Sequence, residues 1–434
     1  MASYIIRGGK KLQGSISVNT AKNSAVALLC ASLMLKGRTV LHEVPRVEEV
    51  NRMLELLSSI GVSFEWQSHN TLILDTSKDL NFKSMNVQAC ARMRSSLLFL
   101  GALAARERTY HLYQSGGCKL GDRSIEAHVL GLKKMGIDIE ARGEYLKVTN
   151  RKLRGAKVVM YEAGVTPTEN LIMAAVLAPG ETLISFASAD YMVQDLCYFL
   201  VSAGAKIKGI GSSTLRITGV ERLKPVRRYH IMPDPLEAMA FIAMATVTKS
   251  ELTVANCPVG FLELELEKLS VMGLLYTLTK ERISKNGKFA IADIHIFPSE
   301  LSALPDKIHG MPFPGINLDN LPFFIPICTQ AKGRSLIHDW AYENRAVYAL
   351  EFNKMGAHIQ ALDIHRILIQ GPVKLKAADI HGPDAIRPSM MLLVGLLAAK
   401  GQSRLDNIYQ IERGYEHIPE RLKSIGAHIT RLED

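Results

Sequence analysis

The sequence predicts an α/β fold in which one module is repeated six times, with helices on the inside. Three observations support this prediction. At 434 residues the chain is too long for one ordinary core and suits two domains. A helix, a glycine and a strand-like segment recur in that order six times. Each repeat also contains a second helix of mostly small apolar residues, which is typical of burial on all sides.

Glycines mark the end of one helix in every repeat. Segments such as 47–60 and 418–425 have helical periodicity, and a strand-like segment such as 427–430 follows. Glycine is favoured just past a helix because it adopts a left-handed conformation without strain. The six glycines are Gly61, Gly136, Gly204, Gly273, Gly356 and Gly426. Their spacings are too long for a solenoid repeat and suit a small α/β module.

The second, apolar helix of each repeat begins with polar residues. These helices are predicted at 21–36, 93–105, 168–178, 235–248, 319–332 and 387–400. Their first polar residues are Lys22 and Asn23, Arg94, Thr168 and Glu169, Glu237, Asp319 and Asn320, and Arg387. Asn23, Asp319 and Arg387 each stand 14 residues before a glycine, so we treat them as equivalent. Six helix N-termini facing one cleft would suit an anion, although ordinary capping explains any single one equally well.

Composition and charge argue against several classes of protein. The first residues lack the apolar core of a signal peptide and no apolar run spans a membrane, so we expect a cytoplasmic protein without a membrane partner. The six cysteines show neither CxxC spacing nor regular pairing with histidines, so zinc and disulfide frameworks are unsupported. We expect no metal and no cofactor. The net charge of +10 suits an anionic substrate. Basic residues are not massed with aromatics, so we expect no nucleic acid partner, and the oligomeric state stays open.

A glycine-rich loop around Cys118 carries the strongest indication of chemistry. Residues 115–123 read Ser-Gly-Gly-Cys-Lys-Leu-Gly-Asp-Arg and follow a predicted strand. Glycines let a backbone approach a ligand, while Lys119 and Arg123 favour a thiolate at Cys118 and hold an anion beside it. A tight turn with an incidental small apolar residue explains the same segment, so the context must decide.

The motifs of the whole chain resemble those of the enolpyruvyl transferases, and within them the group that acts on UDP-N-acetylglucosamine in peptidoglycan synthesis. They are Lys11-Leu12-Gln13-Gly14, Ala21-Lys22-Asn23, Met93-Arg94-Ser95-Ser96, Gly116-Gly117-Cys118, Gly121-Asp122-Arg123, Thr168-Glu169-Asn170, Glu343-Asn344-Arg345, Lys354-Met355-Gly356-Ala357-His358 and Glu412-Arg413-Gly414-Tyr415-Glu416. The resemblance implies the family fold, a two-lobed inside-out α/β barrel with six βαβαββ-type repeats, three per lobe. It places the first lobe at 18–228 and the second at 1–17 together with 229–434.

The resemblance also implies a reaction. The enolpyruvyl group of phosphoenolpyruvate would move to the 3-hydroxyl of the sugar by addition and elimination, with release of phosphate. Such an addition needs an acid and a base on opposite sides of the double bond, and the two anionic groups of phosphoenolpyruvate need fixed cations. The implied catalytic residues are Cys118 as acid, Asp319 as base, Lys22 and Arg387. The implied phosphoenolpyruvate contacts are Lys22, Asn23, Arg94, Arg123, Arg345 and Arg387.

The implied contacts of the UDP-sugar are less uniform. They are Asn23, Arg94, Arg123, Ser124, Ile125, Glu126, Ala127, Gly164, Val165, Thr166, Asp319 and Ala341. The family commonly has proline and aspartate at Ser124 and Glu126, a Ser-Val-Gly-Ala-Thr run at 164–168, and in some members a lysine at Glu162. Asp319 follows a segment a few residues longer than the family's Pro-Thr-Asp run. The donor is therefore better supported than the acceptor.

Three other functions stay open on the sequence alone. The first is enolpyruvyl transfer to another nucleotide or to shikimate 3-phosphate, although the shikimate enzyme lacks the Gly-Gly-Cys loop. The second is a catalytically inactive relative that binds nucleotides or partners, which the retention of Cys118 and five cations disfavours. The third is an RNA-binding module, which lacks an aromatic stacking platform here.

Overall fold

The computed structural model describes residues 2–113 and 124–433, which form two compact units. Lobe 1 comprises the described residues of 20–232, and lobe 2 comprises 2–19 together with 233–433. The boundary expected at 229 lies shortly before this division. The reason is that Tyr229–His230 pairs in parallel with Arg38–His42, in a sheet of lobe 1.

The helices of the described residues include nearly fully buried ones, such as Pro235–Val247, and ones with an exposed face, such as Glu48–Ser59. The α-helices are Lys22–Ala31, Glu48–Ser59, Val87–Arg92, Phe99–Ala102, Glu126–Lys134, Val165–Ala175, Tyr191–Ser202, Pro235–Val247, Glu263–Met272, Phe324–Gln330, Ile386–Ala398, Tyr409–Glu412 and Ile418–Ser424. The 3₁₀ helices are Ser32–Met34, Phe82–Ser84, Arg94–Leu98, Val259–Phe261, Leu321–Phe323 and Ala346–Met355. Each of the six predicted apolar segments contains a helix in the structure.

The described residues of each lobe form three small sheets. In lobe 1 their strand orders are Tyr229–His230, Arg38–His42, Thr71–Asp75, Ser63–Trp66; Thr109–Tyr113, Tyr145–Asn150, Ile137–Arg142; and Lys157–Val159, Glu181–Ser185, Thr214–Thr218, Lys206–Lys208. In lobe 2 they are Gln13–Ser17, Glu251–Cys257, Ala290–Ile296, Tyr276–Ile283; Ile308–His309, Gly333–His338, Arg366–Gly371, His358–Ala361; and Asp379–His381, Gly401–Asp406, Ser3–Gly8, His428–Leu432. The six sheets thus follow the six predicted repeats.

The last sheet uses the N-terminal strand in place of the second strand of a hairpin. Ser3–Gly8 lies between Gly401–Asp406 and His428–Leu432, antiparallel to both, with Tyr4 opposite Leu405 and Arg431. In the other repeats the equivalent strand follows its own hairpin partner in the chain. The first and last segments of the sequence are therefore joined within lobe 2.

Buried helices form the core of each lobe, as predicted. Every residue of Pro235–Val247 is buried, and so is every residue of Ile386–Ala398 except the last. These two helices and Phe324–Gln330 contact one another in lobe 2. In the residues that the structure describes, no helix combines the length and the apolarity needed to cross a bilayer.

The glycines predicted to end helices do so. All six have positive φ angles, between 83° at Gly356 and 104° at Gly273. Gly273 directly follows the helix Glu263–Met272, and its N–H donates to the Ser270 carbonyl. A side chain at such a position would strain the backbone, which explains why glycine recurs there.

Two apolar helices differ from their predicted form, and a third has a predicted irregularity. The segment predicted as 93–105 is a 3₁₀ turn followed by a short α-helix, because the Asn170 amide is inserted into its backbone ladder. The Asn170 Oδ1 accepts from the Gly101 N–H at 2.6 Å, and its Nδ2 donates to the Leu97 carbonyl at 2.9 Å. The helix predicted to begin at Thr168 begins at Val165. Pro322 and Pro326 make the start of the fifth helix irregular, as predicted.

Gly395 provides a test of helix packing in lobe 2. A Cβ at this position would lie 2.3 Å and 2.6 Å from two ring carbons of Phe352, which is fully buried. We expect Gly395→Ala to lower the free energy of unfolding by about 1–3 kcal/mol through overpacking. A denaturant titration measures this. Gly260→Ala is the control, since nothing lies within 4 Å of its Cβ position, and equal stability of both variants would contradict the prediction.

Candidate active site

A buried ion pair in lobe 2 holds one of the predicted cations. Arg345 is only 2% exposed, and its Nε and Nη2 donate to the two carboxylate oxygens of Asp339 at 2.5 Å and 3.0 Å. Nη2 also donates to the Leu318 carbonyl at 2.6 Å, and Nη1 donates to Asp319 Oδ1 at 3.3 Å. Burial alone would lower the pKa of Arg345, but the two carboxylates outweigh burial and raise it. The guanidinium therefore fixes the backbone and the side chain of the turn that carries Asp319.

Arg387 completes this cluster from a different repeat. It is the second residue of the helix Ile386–Ala398, and its Nε donates to Asp319 Oδ2 at 3.3 Å. Its Nη1 donates to the Tyr415 hydroxyl at 2.7 Å. Burial raises the pKa of Tyr415, although the charge of Arg387 opposes this. Each carboxylate oxygen of Asp319 thus accepts a hydrogen bond from a guanidinium group. The structure brings together Asp319, Arg345 and Arg387, which the sequence analysis assigned to one site.

Two acids at the start of the helix Pro235–Val247 have different surroundings. Asp234 caps the helix, with its Oδ1 accepting from the Leu236 N–H at 2.8 Å. Burial raises the pKa of Asp234 to about 6, and the positive charge of Arg387 opposes the rise. Glu237 is buried and pairs with Arg421 at 2.5 Å. Asp234 therefore belongs electrostatically to the Arg387 cluster, while Glu237 has a structural partner of its own.

In lobe 1, two neighbouring helix N-termini carry the predicted UDP-sugar contacts. The helices Glu126–Lys134 and Val165–Ala175 pack against each other. The predicted residues at these two starts are Ser124, Ile125, Glu126 and Ala127, and Gly164, Val165 and Thr166. Arg94 Nη2 donates to the Ser124 carbonyl at 3.2 Å, which joins the first start to the 3₁₀ turn Arg94–Leu98. Ala341 lies in lobe 2, half-buried in the turn between Asp339 and Arg345.

A buried amide and imidazole hold these elements together. His128 Nδ1 lies 2.9 Å from Asn170 Nδ2. The Oδ1 of the same Asn170 side chain accepts from the Gly101 N–H. Burial, followed by the charge of Arg94, lowers the pKa of His128 to about 3, so the ring is neutral and its Nδ1 accepts. The neutral imidazole and the amide therefore fix Arg94 relative to the two helix starts.

Lys22 and Asn23 stand at the start of the buried helix Lys22–Ala31. Lys22 Nζ lies 2.5 Å from Glu49 Oε2, and Asn23 Nδ2 donates to the buried Tyr191 hydroxyl at 3.1 Å. The helix packs against the 3₁₀ turn that begins at Arg94. Each predicted residue at this helix start therefore has a partner from another element of lobe 1.

Glu162 lies close to the second helix start. The side chain of Glu162 is exposed, and its Oε1 is 3.0 Å from the position that a Cβ would take at Gly164. The N–H groups of a helix start favour an anionic ligand, whereas a carboxylate beside them repels one. This acid therefore reduces the suitability of the helix start for a diphosphate.

Of the six cysteines of the chain, one lies in the predicted glycine-rich loop and five lie in the described residues. Cys118, Lys119 and Arg123 fall in 114–123, outside the described residues. The other five cysteines are buried free thiols, and burial raises the pKa of Cys90 and of Cys328 to about 12. Within each lobe taken alone, the described residues hold no three histidine, cysteine or acidic side chains close enough to share a metal ion.

Comparison with known proteins gives the family. The sequence model of the EPSP synthase (3-phosphoshikimate 1-carboxyvinyltransferase) family matches residues 6–422. The chain belongs to this family of enolpyruvyl transferases. A UDP-N-acetylglucosamine 1-carboxyvinyltransferase of Campylobacter lari is 35% identical over 430 residues, which cover 99% of each chain. A protein of the same name from Koribacter versatilis is 34% identical, covering 100% of this chain and 97% of its own.

Solved structures confirm the predicted fold of this enolpyruvyl transferase. The enolpyruvyl transferase NikO from Streptomyces tendae matches with a TM-score of 0.84 at 20% identity, covering 99% of this chain and 98% of its own. An EPSP synthase from Acinetobacter baumannii matches with a TM-score of 0.75 at 19% identity, covering 100% of both chains. At these identities the likeness shows the fold alone.

The structure adds partners of the predicted site residues that the sequence analysis did not single out. They are Asp339, Tyr415, Glu49, Tyr191 and His128, each a partner of a predicted residue or of its neighbours. For two of them, the position in the sequence next to or within a family motif could have indicated a place near the site. Asp339 directly follows the strand Gly333–His338 and precedes the Glu343-Asn344-Arg345 motif, and Tyr415 lies within the last quoted motif.

Glu169 is an unusually placed acid in the helix Val165–Ala175. It is buried, and its Oε1 has no hydrogen-bond partner among the described residues. Burial, with a smaller contribution from the charge of Asp190, raises the pKa of Glu169 to about 8. In the unfolded chain this carboxyl ionises near pH ~4.3. The folded protein therefore binds one more proton than the unfolded chain between these two values.

We expect Glu169→Gln to remove a pH dependence of stability. The stability linked to Glu169 is fully present below its unfolded pKa and is lost as the pH rises through about 8. The thermal midpoint of the variant, relative to the native protein, should therefore be higher at pH 8 than at pH 5. Glu144→Gln in an exposed turn is the control. A constant difference between Glu169→Gln and the native protein across this range would contradict the prediction.

Proposed function

We propose that this enolpyruvyl transferase moves the enolpyruvyl group of phosphoenolpyruvate to the 3-hydroxyl of UDP-N-acetylglucosamine and releases phosphate. The observation that carries the choice of acceptor is the shared name of relatives that are 33–35% identical over nearly the full chain. The reaction would begin the committed synthesis of peptidoglycan. Because both substrates are charged and water-soluble, we place it in the cytoplasm.

The proposed reaction assigns separate roles to Cys118 and Asp319. In the addition step, Cys118 gives a proton to the terminal carbon of phosphoenolpyruvate, while the sugar hydroxyl bonds to the middle carbon and loses its proton to Asp319. In the elimination step, the Cys118 thiolate takes back a proton from the methyl group, the carbon–oxygen bond to phosphate breaks, and phosphate leaves with the proton held by Asp319, which restores the double bond and both side chains. Hydrogen bonds from Arg345 and Arg387 to Asp319 orient its carboxylate.

The proposed cations stabilise the anionic donor and its transition state. Lys22, Arg94, Arg123 and Arg387 would bind the phosphate and carboxylate of phosphoenolpyruvate, where planar guanidinium groups give bidentate contacts. Arg345 is buried against Asp339 and would act mainly by fixing Asp319. Charge developing during the addition is then stabilised by groups that are already positioned.

The two helix starts of lobe 1 would bind the UDP-sugar. The first N–H groups of Glu126–Lys134 and Val165–Ala175 suit a diphosphate, and Asn23 and Arg94 would contact the sugar nucleotide. The acid at Glu162 favours a second candidate, transfer to an acceptor without a diphosphate at this position. A panel of acceptors with phosphoenolpyruvate held constant separates the two candidates.

Phosphate release tests the proposed function directly. We expect release only when phosphoenolpyruvate and UDP-N-acetylglucosamine are both present, and we expect Cys118→Ala to lower kcat by about 10²-fold or more through loss of the general acid. Cys90→Ala is the control, because the high pKa of that buried thiol makes it a poor acid. Full activity of Cys118→Ala would exclude the acid role.

Glu162 tests where the diphosphate binds. Removing its charge should strengthen the binding of UDP-N-acetylglucosamine by about 1 kcal/mol, so Glu162→Gln should lower the KM for this substrate about 5-fold. The KM for phosphoenolpyruvate should not change. Steady-state kinetics measure both, with Glu144→Gln as a surface control. An unchanged KM for the UDP-sugar would show that the diphosphate does not approach Glu162.

A further inference from the structure

Glu265 is a carboxylate in a position that faces the core of lobe 2. The buried residues of the helix Glu263–Met272 are Glu265, Leu266, Leu269 and Met272, which together form its inner face. Only 2% of Glu265 is exposed, whereas Glu263 and Glu267 on the same helix are exposed. A buried carboxylate is unfavourable unless hydrogen bonds compensate for the lost water. The partners of Glu265 therefore decide what it does.

Both partners belong to the turn that carries Asp319. Glu265 Oε1 accepts from the Asn317 N–H at 3.0 Å and from Asn320 Nδ2 at 2.9 Å. Asn317 Oδ1 in turn accepts from the Asp319 N–H at 2.8 Å, and the Asn320 N–H donates to the Asn317 carbonyl at 2.9 Å. One carboxylate oxygen thus holds both ends of the four-residue turn 317–320.

The segment before this turn has hydrogen bonds of its own. The Met311 N–H donates to the Ile316 carbonyl at 2.8 Å, and the Gly315 N–H donates to the Pro312 carbonyl at 2.9 Å. The extra residues of this segment therefore close into a loop of their own, ahead of Asn317. Glu265 and Arg345 hold the backbone of the turn that follows, through the Asn317 N–H and the Leu318 carbonyl.

We propose that Glu265 is a positioning residue that fixes the turn 317–320 and thereby aims the Asp319 carboxylate. The tether is a property of lobe 2 by itself. Its effect on catalysis rests on the proposed function, in which Asp319 takes the sugar proton. A misplaced base of this kind lowers kcat and leaves the binding of phosphoenolpyruvate nearly unchanged.

Glu265→Leu tests the proposal because it keeps the bulk and removes the acceptor. We expect kcat to fall by about 10–100-fold, since a small displacement of a catalytic group is sufficient for this loss. The KM for phosphoenolpyruvate should hold. Glu265→Gln keeps one acceptor oxygen for both contacts, and Glu267→Leu places leucine at an exposed position of the same helix. Both controls should stay within about 2-fold of the native kcat.

A double-mutant cycle separates positioning from general damage to the fold. Glu265→Leu should add no further loss of kcat to Asp319→Ala, because its effect passes through Asp319. An equal loss in the native and Asp319→Ala backgrounds would overturn the proposal, and so would a native kcat in Glu265→Leu. If Glu265→Leu does not fold, Asn317→Ala removes the acceptor of the Asp319 N–H at a half-buried position and should show the same pattern.

Hydrogen exchange tests the tether without using activity. The backbone N–H of Asn317 should exchange its hydrogen faster in Glu265→Leu than in the native protein. Unchanged protection of this hydrogen would overturn the proposal. If the native protein releases no phosphate from its two proposed substrates, the proposed function fails, but this exchange measurement still decides whether Glu265 holds the turn.

Discussion

Helices that are buried on every side offer polar groups to a ligand only at their ends. This constraint agrees with the positions of the proposed site residues Lys22 and Asn23, Arg94, Val165 and Arg387 at the starts of helices, with Asp319 in the turn before Leu321–Phe323. Glu126 begins a helix that has one exposed face. The same helices supply the core of each lobe, so a site residue and the fold share one element. The position of a proposed catalytic side chain is therefore set by packing several turns away from it.

Burial also requires that charged groups near the core have partners. Arg345 is compensated by Asp339 and Asp319, and Glu265 by the amides of Asn317 and Asn320. Breaking a buried pair by removing one partner is costly, because the other charge stays buried without compensation. These pairs therefore resist rearrangement, and they transmit the rigidity of the core to the turn that carries Asp319. Burial raises the pKa of Glu265 even with its hydrogen bonds, and it raises the pKa of Glu169, whose Oε1 has no hydrogen-bond partner among the described residues, to about 8.

Local sequence patterns were sufficient to predict the repeats but not the partners within the site. Gly273 and the other helix-ending glycines could be recognised because left-handed backbone is a local requirement, and the apolar helices because burial acts on each residue separately. Asn170 replaces a backbone hydrogen bond between Leu97 and Gly101, which lie far from it in the chain. The periodicity of the helix Glu263–Met272 shows which face is buried. It does not show that Glu265 accepts hydrogen bonds from Asn317 and Asn320.

Three of the described cations predicted for the phosphoenolpyruvate site already have carboxylate partners. Lys22 pairs with Glu49, Arg345 with Asp339, and Arg387 with Asp319. An anionic substrate would therefore compete with protein carboxylates for these cations, and its net affinity reflects the difference between two ion pairs. This competition lowers the affinity for the substrate. The same ion pairs keep the long cationic side chains in defined positions, which reduces the entropy lost when the transition state forms. Among these pairs that of Arg345 with Asp339 is the most deeply buried. An anionic substrate would therefore displace the carboxylate partner of Lys22 or Arg387 more easily than that of Arg345.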